Sequence, residues 1–184
     1  MKSPLNEWHG AMDAKLADFG GWDMPIEYPK GVAGFSGGTL AEHAAVRERV
    51  GIFDVSHLGK ISVKGQGAKD FVNSMVTNDL NRITSGQAQY NLFCNEAGGV
   101  IDDLIVYEFA PDEIFIIPNA SNCSQVAADL SAVAPIGITV KNIHQEYAVL
   151  ALQGPDSSKV LADLGINLNL EYMSFGKITL PGNE

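Results

Sequence analysis

Two alternating runs flank a glycine pair near the middle of the chain, and no other segment restricts the fold as strongly. In Gln87–Cys94, Ala88, Tyr90, Leu92 and Cys94 alternate with mostly polar neighbours; Gly98-Gly99 follows, and then the long run Val100–Phe109. Alternation is the period of a half-buried strand, and a glycine pair between two such runs supplies the backbone freedom of a tight turn. The segment is expected to be an antiparallel hairpin. A short turn can close an antiparallel pair, whereas a parallel pair needs a long crossover, so this hairpin biases the class of the whole sheet.

The flanking segments extend that reading. Ile52–Ser56 and Lys60–Lys64 read as strands around a turn at His57–Gly59, with Ile61 and Val63 facing one way, and Ala68, Phe71, Val72 and Met75 then recur at helical spacing. Pro111-Asp112 turns the chain into a strand over Glu113–Ile117. Asn119–Asn122 offers caps for an alanine-rich helix reaching about Val133. Strands near Gly137–Lys141 and Ala148–Leu152 precede a helix from Pro155 to Leu164, closed by Gly165. Upstream, Thr39 and Glu42 have the spacing of a capping box opening a helix over Leu40–Val50. The glycine- and proline-rich stretch Phe19–Gly38, with Trp22, Tyr28 and Phe35, is expected as an ordered loop. Hairpins mixed with single helices predict an α+β fold, mainly antiparallel sheet with flanking helices, rather than a doubly wound parallel sheet. The expected organisation is a loop-rich lead-in over 1–38, a domain over 39–170, and the start of a following segment over 171–184.

Composition narrows the function classes. With 12 basic and 22 acidic residues in 184, the net charge is −10, which offers no field for phosphate backbones, so nucleic acid is not an expected partner. Hydrophobic residues make up 46%, enough for a real core in a chain that can remove roughly 70% of its unfolded surface from water. The apolar runs Ile114–Pro118 and Tyr147–Leu152 fall far short of the ~20 residues that cross a bilayer. No apolar stretch opens the chain and the first arginine is Arg47, so neither a secretory signal nor a transit peptide is expected, and the cytoplasm is the expected compartment. Cys94 and Cys123 have no metal-site spacing and read as reduced core thiols; no metal site is expected. No GxGxxG or GxxxxGK[ST] loop occurs.

Within Val100–Phe109, period-two geometry places Ile101, Asp103, Ile105, Tyr107 and Phe109 on one face and Val100, Asp102, Leu104, Val106 and Glu108 on the other. Asp103 therefore interrupts an apolar stripe, while Asp102 is expected to face the turn. A carboxylate in such a stripe is costly unless partnered, and burial of that kind is how catalytic acids and bases are often made. Amides of the glycine turn are the alternative explanation for it. Tyr90 on the partner strand and Tyr107 farther along allow either an aromatic-walled pocket or plain core packing. Asp54, Ser56 and His57 have the residue types of a nucleophilic triad but share one turn, which is poor geometry for one. His9, His43 and His144 are scattered.

Strung together, these segments resemble the first half of the glycine cleavage aminomethyltransferase family, the folate-binding T proteins. The resemblance is carried by Phe19-Gly-Gly-Trp-Asp-Met-Pro-Ile-Glu-Tyr28, Glu42-His-Ala-Ala-Val-Arg47, Gly51-Ile-Phe-Asp-Val-Ser-His57, Thr77-Asn-Asp79, Gly98-Gly-Val-Ile-Asp-Asp-Leu-Ile-Val-Tyr107 and Leu150-Ala-Leu-Gln-Gly-Pro155, in the family's order over nearly the whole chain. It implies transfer of a methylene from an aminomethyl thioether, held on the dihydrolipoyl arm of a carrier (H) protein, to tetrahydrofolate with release of ammonia. The family's essential aspartate aligns with Asp103, the residue that the alternation also singles out. Tyr90, Tyr107 and Asn119, with Val55 and Leu58 of the 55–58 stretch, are implied as residues around the folate. A carboxylate there would stabilise the cationic carbon left by departing ammonia, and no protein nucleophile is required.

Two departures accompany the match. Leu58 stands where the family usually has methionine, a change of packing rather than chemistry. By resemblance, relatives run to about twice this length, so turnover by the isolated chain is expected to be absent or slight, and the surface facing the second half is expected to be covered in a homodimer or a loose aggregate. Alternatives from the same residues are another folate-dependent one-carbon transferase or demethylase of this fold, a noncatalytic folate-binding module, or an inert paralogue.

Overall fold

The computed structural model describes residues 1–31, 37–167 and 169–179. Phe35 and residues 180–184 of the expected last segment lie outside the described residues. The described residues divide into two compact units: one from residues 1–31, 37–57, 147–167 and 178–179, the other from Leu58–Glu146 and Asn169–Lys177. The helices and antiparallel sheets of both units agree with the α+β expectation.

The second unit is built on a five-stranded antiparallel sheet. Its strands are β4 (Ile61–Lys64), β5 (Gln87–Cys94), β6 (Val100–Ala110), β7 (Glu113–Ile117) and β8 (Thr139–Asn142), in the order β5-β6-β7-β4-β8. The β5–β6 hairpin forms as expected. Gly98 takes φ +81°, and the Asn95 side chain accepts the N–H groups of Ala97 and Gly99 at 3.0 and 2.8 Å. One sheet face carries α3 (Ala68–Met75) and α4 (Cys123–Val133); Phe71, Val72, Val126 and Leu130 pack there on Ile61, Val63, Leu104, Val106, Ile114 and Ile116. Cys123 belongs to this core, whereas Cys94 is half-buried. Residues 173–175 run beside β5, where the Ala88 N–H reaches the Met173 carbonyl.

Gly59 brings the start of this unit against the loop between β7 and α4. Its N–H donates to the Pro118 carbonyl at 2.8 Å, and a β-carbon added there would lie 2.6 Å from Pro118 Cγ and 2.7 Å from Cys123. Gly59→Ala is therefore expected to destabilise the fold by about 1–3 kcal/mol through overpacking. Denaturant unfolding of the two proteins checks this, and equal midpoints would show that the loop relaxes freely.

The first unit contains α1 (Asn6–Ala11), β1 (Lys15–Phe19), β2 (Trp22–Glu27), α2 (Thr39–Glu48), β3 (Gly51–Asp54), β9 (Leu150–Gln153) and α5 (Ser157–Asp163). The loop expectation for Phe19–Gly38 is corrected here: β1 and β2 form a hairpin whose turn residues Gly20 and Gly21 both have positive φ, and Trp22 and Met24 are buried. The Gly-Gly pair beside alternating Trp22 and Met24 was the available signal. The capping box is also corrected. Gly38 is the N-cap; the Thr39 hydroxyl donates to Glu27 at 2.8 Å, and Glu42 accepts the Tyr28 N–H at 2.9 Å, so both side chains tie α2 to β2 and the residue after it. Nor do the strands around 57–59 pair with each other: β3 pairs with β9, and β4 lies between β7 and β8.

Candidate functional site

The site begins with the alternation of β6. Asp102, Leu104, Val106 and Glu108 face the helices, at 3%, 2%, 0% and 2% exposure, whereas Asp103 lies on the opposite face and is exposed, beside half-buried Ile105, Tyr107 and Phe109. The expected burial is thus reversed: Asp102 is the buried aspartate and does not face the turn. Side-chain polarity misled because both carboxylates of the inner stripe have local partners. Glu108 forms a 2.8 Å ion pair with Lys69, and Asp102 is surrounded by amides.

Those amides come from the loop after β7. Asp102 Oδ2 accepts the backbone N–H of Asn119 at 2.9 Å, and Oδ1 accepts Nδ2 of Asn119 at 2.9 Å and Nδ2 of Asn122 at 2.8 Å. Asn122 occupies the N-cap position of α4 but makes no side-chain cap; its carboxamide turns to Asp102 instead. Nδ2 of Asn119 also donates to Asp103 Oδ1 at 2.9 Å, and the Tyr90 hydroxyl donates to Asp103 Oδ2 at 2.8 Å. Each oxygen of Asp103 therefore holds one neutral donor, and the turn amides of Ala97 and Gly99, its alternative partners, donate to Asn95 instead. The hydrogen bond to Asp103, then partial burial, then the charges of Asp103 and Asp102 raise the Tyr90 phenol above its ordinary value of 10.0 and keep it a donor.

Tyr107 shares the outward face of β6 but stands four residues along, about 13 Å at the rise of a strand. Its ring lies edge-on to Phe115 and Phe175, with centroids 6.3 and 5.5 Å away, and burial raises its phenol pKa. Half-buried Leu58 precedes Gly59, whose bond to Pro118 places it beside the loop that carries Asn119. Val55 belongs to the other unit, where its N–H donates to the Val149 carbonyl at 2.9 Å. Tyr90, Asp103 and Asn119 are thus joined by direct bonds. An open hollow of about 470 Å³ in this unit is lined by other residues, among them Gln66, Lys69 and Asp112. Among the described residues, no group of three or more His, Cys, Asp or Glu side chains could hold a metal ion. No helix of the described residues is long and apolar enough to cross a membrane.

The family model described as GCVT N-terminal domain matches residues 5–183. This chain belongs to that family. An aminomethyltransferase from Parafrankia sp. is 56% identical over 181 residues, covering 98% of this chain and 48% of that protein. One from Mycobacterium tuberculosis is 50% identical over 179 residues, covering 97% and 47%. Among solved structures, glycine cleavage system aminomethyltransferase T from Bartonella henselae superposes with a TM-score of 0.84 at 34% identity, over 95% of this chain and 46% of that one. The GCVT N-terminal chain thus spans about half the length of the curated relatives it matches.

A second polar cluster in this GCVT chain escaped the reading of the sequence. Asp54 meets neither His57 in a triad nor open solvent. Its Oδ2 holds Nε2 of His9 at 2.8 Å and the Ser3 hydroxyl, and Oδ1 accepts the Ser56 N–H at 2.9 Å. Nδ1 of His9 lies 2.7 Å from the Tyr28 hydroxyl. Burial pushes the Asp54 carboxyl up, but the bonds from His9, Ser3 and Ser56 outweigh it and leave the pKa below the ordinary 3.8. Burial, with the charges of Asp54 and Glu42, pushes Tyr28 up to about 12, so its hydroxyl stays protonated and the array ties α1 and the segment after β2 to the end of β3. A histidine 45 positions from its carboxylate leaves no local sequence signal.

Proposed function

We propose that this chain forms the tetrahydrofolate-binding, carboxylate-bearing part of an aminomethyltransferase. The reaction moves the methylene of an S-aminomethyl-dihydrolipoyl carrier protein to tetrahydrofolate and releases ammonia. Family membership supports the reaction class, and the observation that carries the residue assignment is Asp103, held between two neutral donors on the open face of the sheet. An ionised carboxylate has about four acceptor positions. Tyr90 and Asn119 occupy one on each oxygen, which leaves room for the N–H groups of a reduced pterin beside the half-buried Leu92 and Ile105. Tetrahydrofolate supplies the amine that accepts the one-carbon unit.

In this reading Asp103 hydrogen-bonds the cosubstrate and lends negative charge as ammonia departs. Among the described residues no ion pair neutralises it. Its effect is greatest when bound substrate covers the sheet face and excludes water, because the same charge acts more strongly in a low dielectric. Tyr90 and Asn119 fix the carboxylate, and Tyr107 and Leu58 supply apolar surface.

Calorimetric titration with tetrahydrofolate under reducing conditions tests the binding half of this reading. Tyr90→Phe is expected to weaken binding by roughly 2- to 10-fold, since one hydroxyl bond to Asp103 is lost while the ring remains. Tyr107→Phe is expected to lose less. Parent-like affinity in both variants would place the tyrosines outside the binding surface.

A further inference from the structure

Asp102 is a buried acid directly behind the site, yet nothing in the chemistry above uses it. Its three bonds are arranged with a direction: one to the backbone N–H of Asn119, one to the Asn119 side chain and one to Asn122. The first two grip a single residue at both its main chain and its carboxamide. That grip aims Nδ2 of Asn119 outward, where it meets both the carbonyl of Asp103 at 3.1 Å and its Oδ1 at 2.9 Å. Asp102 and Asp103 point to opposite faces of one strand, so neither touches the other directly, and the Asn119 carboxamide is the piece that spans from the inner carboxylate to the outer one.

We propose that Asp102 is a positioning residue: from inside the core it clamps Asn119, and Asn119 in turn fixes the orientation of the Asp103 carboxylate. This rests on the aminomethyltransferase reading for its consequence but not for its geometry. Without the clamp, an exposed aspartate side chain on a sheet surface samples several rotamers. With it, one oxygen is set by Asn119 and the other by Tyr90. The dependence is asymmetric, because the bonds of Asp102 to the Asn119 N–H and to Asn122 do not involve Asp103. Replacing Asp102 by asparagine puts an amide donor among three donors that need acceptors, so at least one bond of the clamp is lost and Asn119 is held less firmly.

Selective labelling of asparagine and tyrosine in the full 184-residue chain makes this measurable by NMR. In the parent, the Asn119 side-chain amide should exchange slowly and Tyr90 should titrate above its ordinary range. Asp103→Asn should lower the Tyr90 titration and leave the amide held by Asp102. Asp102→Asn should release the amide and also lower the Tyr90 titration, although Asp103 is intact. Asn119→Ala keeps both carboxylates and is the decisive control, also usable if Asp102→Asn fails to fold; it too should lower Tyr90. An unmoved Tyr90 in Asn119→Ala would mean that Asp102 acts only through its charge, and the proposal would fall.

In a transfer assay on the complete enzyme, Asp102→Asn should reduce kcat roughly 10- to 100-fold with the KM for tetrahydrofolate nearly unchanged. A loss confined to KM would also overturn the proposal. Absence of transfer in the parent would overturn the aminomethyltransferase reading instead, leaving the NMR hierarchy to be judged separately.

Discussion

On the function proposed above, Asp103→Asn is expected to slow aminomethyl transfer by about 100- to 1,000-fold, the usual cost of removing one preorganised electrostatic stabiliser from an acyl-transfer or related site. The substitution preserves size and removes the charge. It also disturbs the local bonding, because Tyr90 and Asn119 both donate to the carboxylate and an asparagine can accept on only one side. In that proposed reaction, binding of tetrahydrofolate should change several-fold at most, since the apolar surface remains and the charge would act chiefly as ammonia leaves. Steady-state kinetics with saturating carrier protein separates the two quantities. Equal losses in kcat and in folate affinity, or a loss in affinity alone, would assign Asp103 to binding and remove its electrostatic role.

The largest effect on stability is expected at Asp54. Its side chain and that of His9 are 1% and 3% exposed, and three donors converge on the carboxylate. Asp54→Asn leaves at least one of those donors facing an amide, which costs about 3 kcal/mol and lowers the melting temperature by roughly 10 °C. The pH dependence has a definite sign. The folded pKa lies below the unfolded value of 3.8, so the carboxylate's contribution is fully present above that value and is lost as pH falls through the folded pKa. Melting curves of parent and variant should therefore converge in acid and stay apart at neutral pH. A gap that persists unchanged into strong acid would show that Asp54 acts through packing rather than ionisation.

Much of the local structure was legible from residue order. The β5–β6 hairpin followed from alternation and from Gly98, α3 from helical spacing, and α4 from the alanine-rich run after Asn119–Asn122, because those signals depend on neighbours in the chain. The hairpin of β1 and β2 carried an equally local Gly-Gly signal and was passed over amid the surrounding glycines and prolines. Resemblance to the family named Asp103, Tyr90 and Asn119 together, but no pattern in the sequence showed that they are hydrogen-bonded to one another.

By itself the sequence determined periodicity: which residues of β6 share a face, where turns fall, and that two adjacent aspartates must point opposite ways. Tertiary structure alone decided which of those faces became the core. Helices α3 and α4 pack on the side that carries Asp102 and Glu108, and amides of Asn119 and Asn122 and the ammonium of Lys69 make that burial tolerable. The same packing left Asp103 outward, its carboxylate on the exposed face of the sheet. Long-range partners such as His9 and Asp54 were likewise settled only on folding, because a hydrogen bond depends on distance in space, which the order of residues does not encode locally.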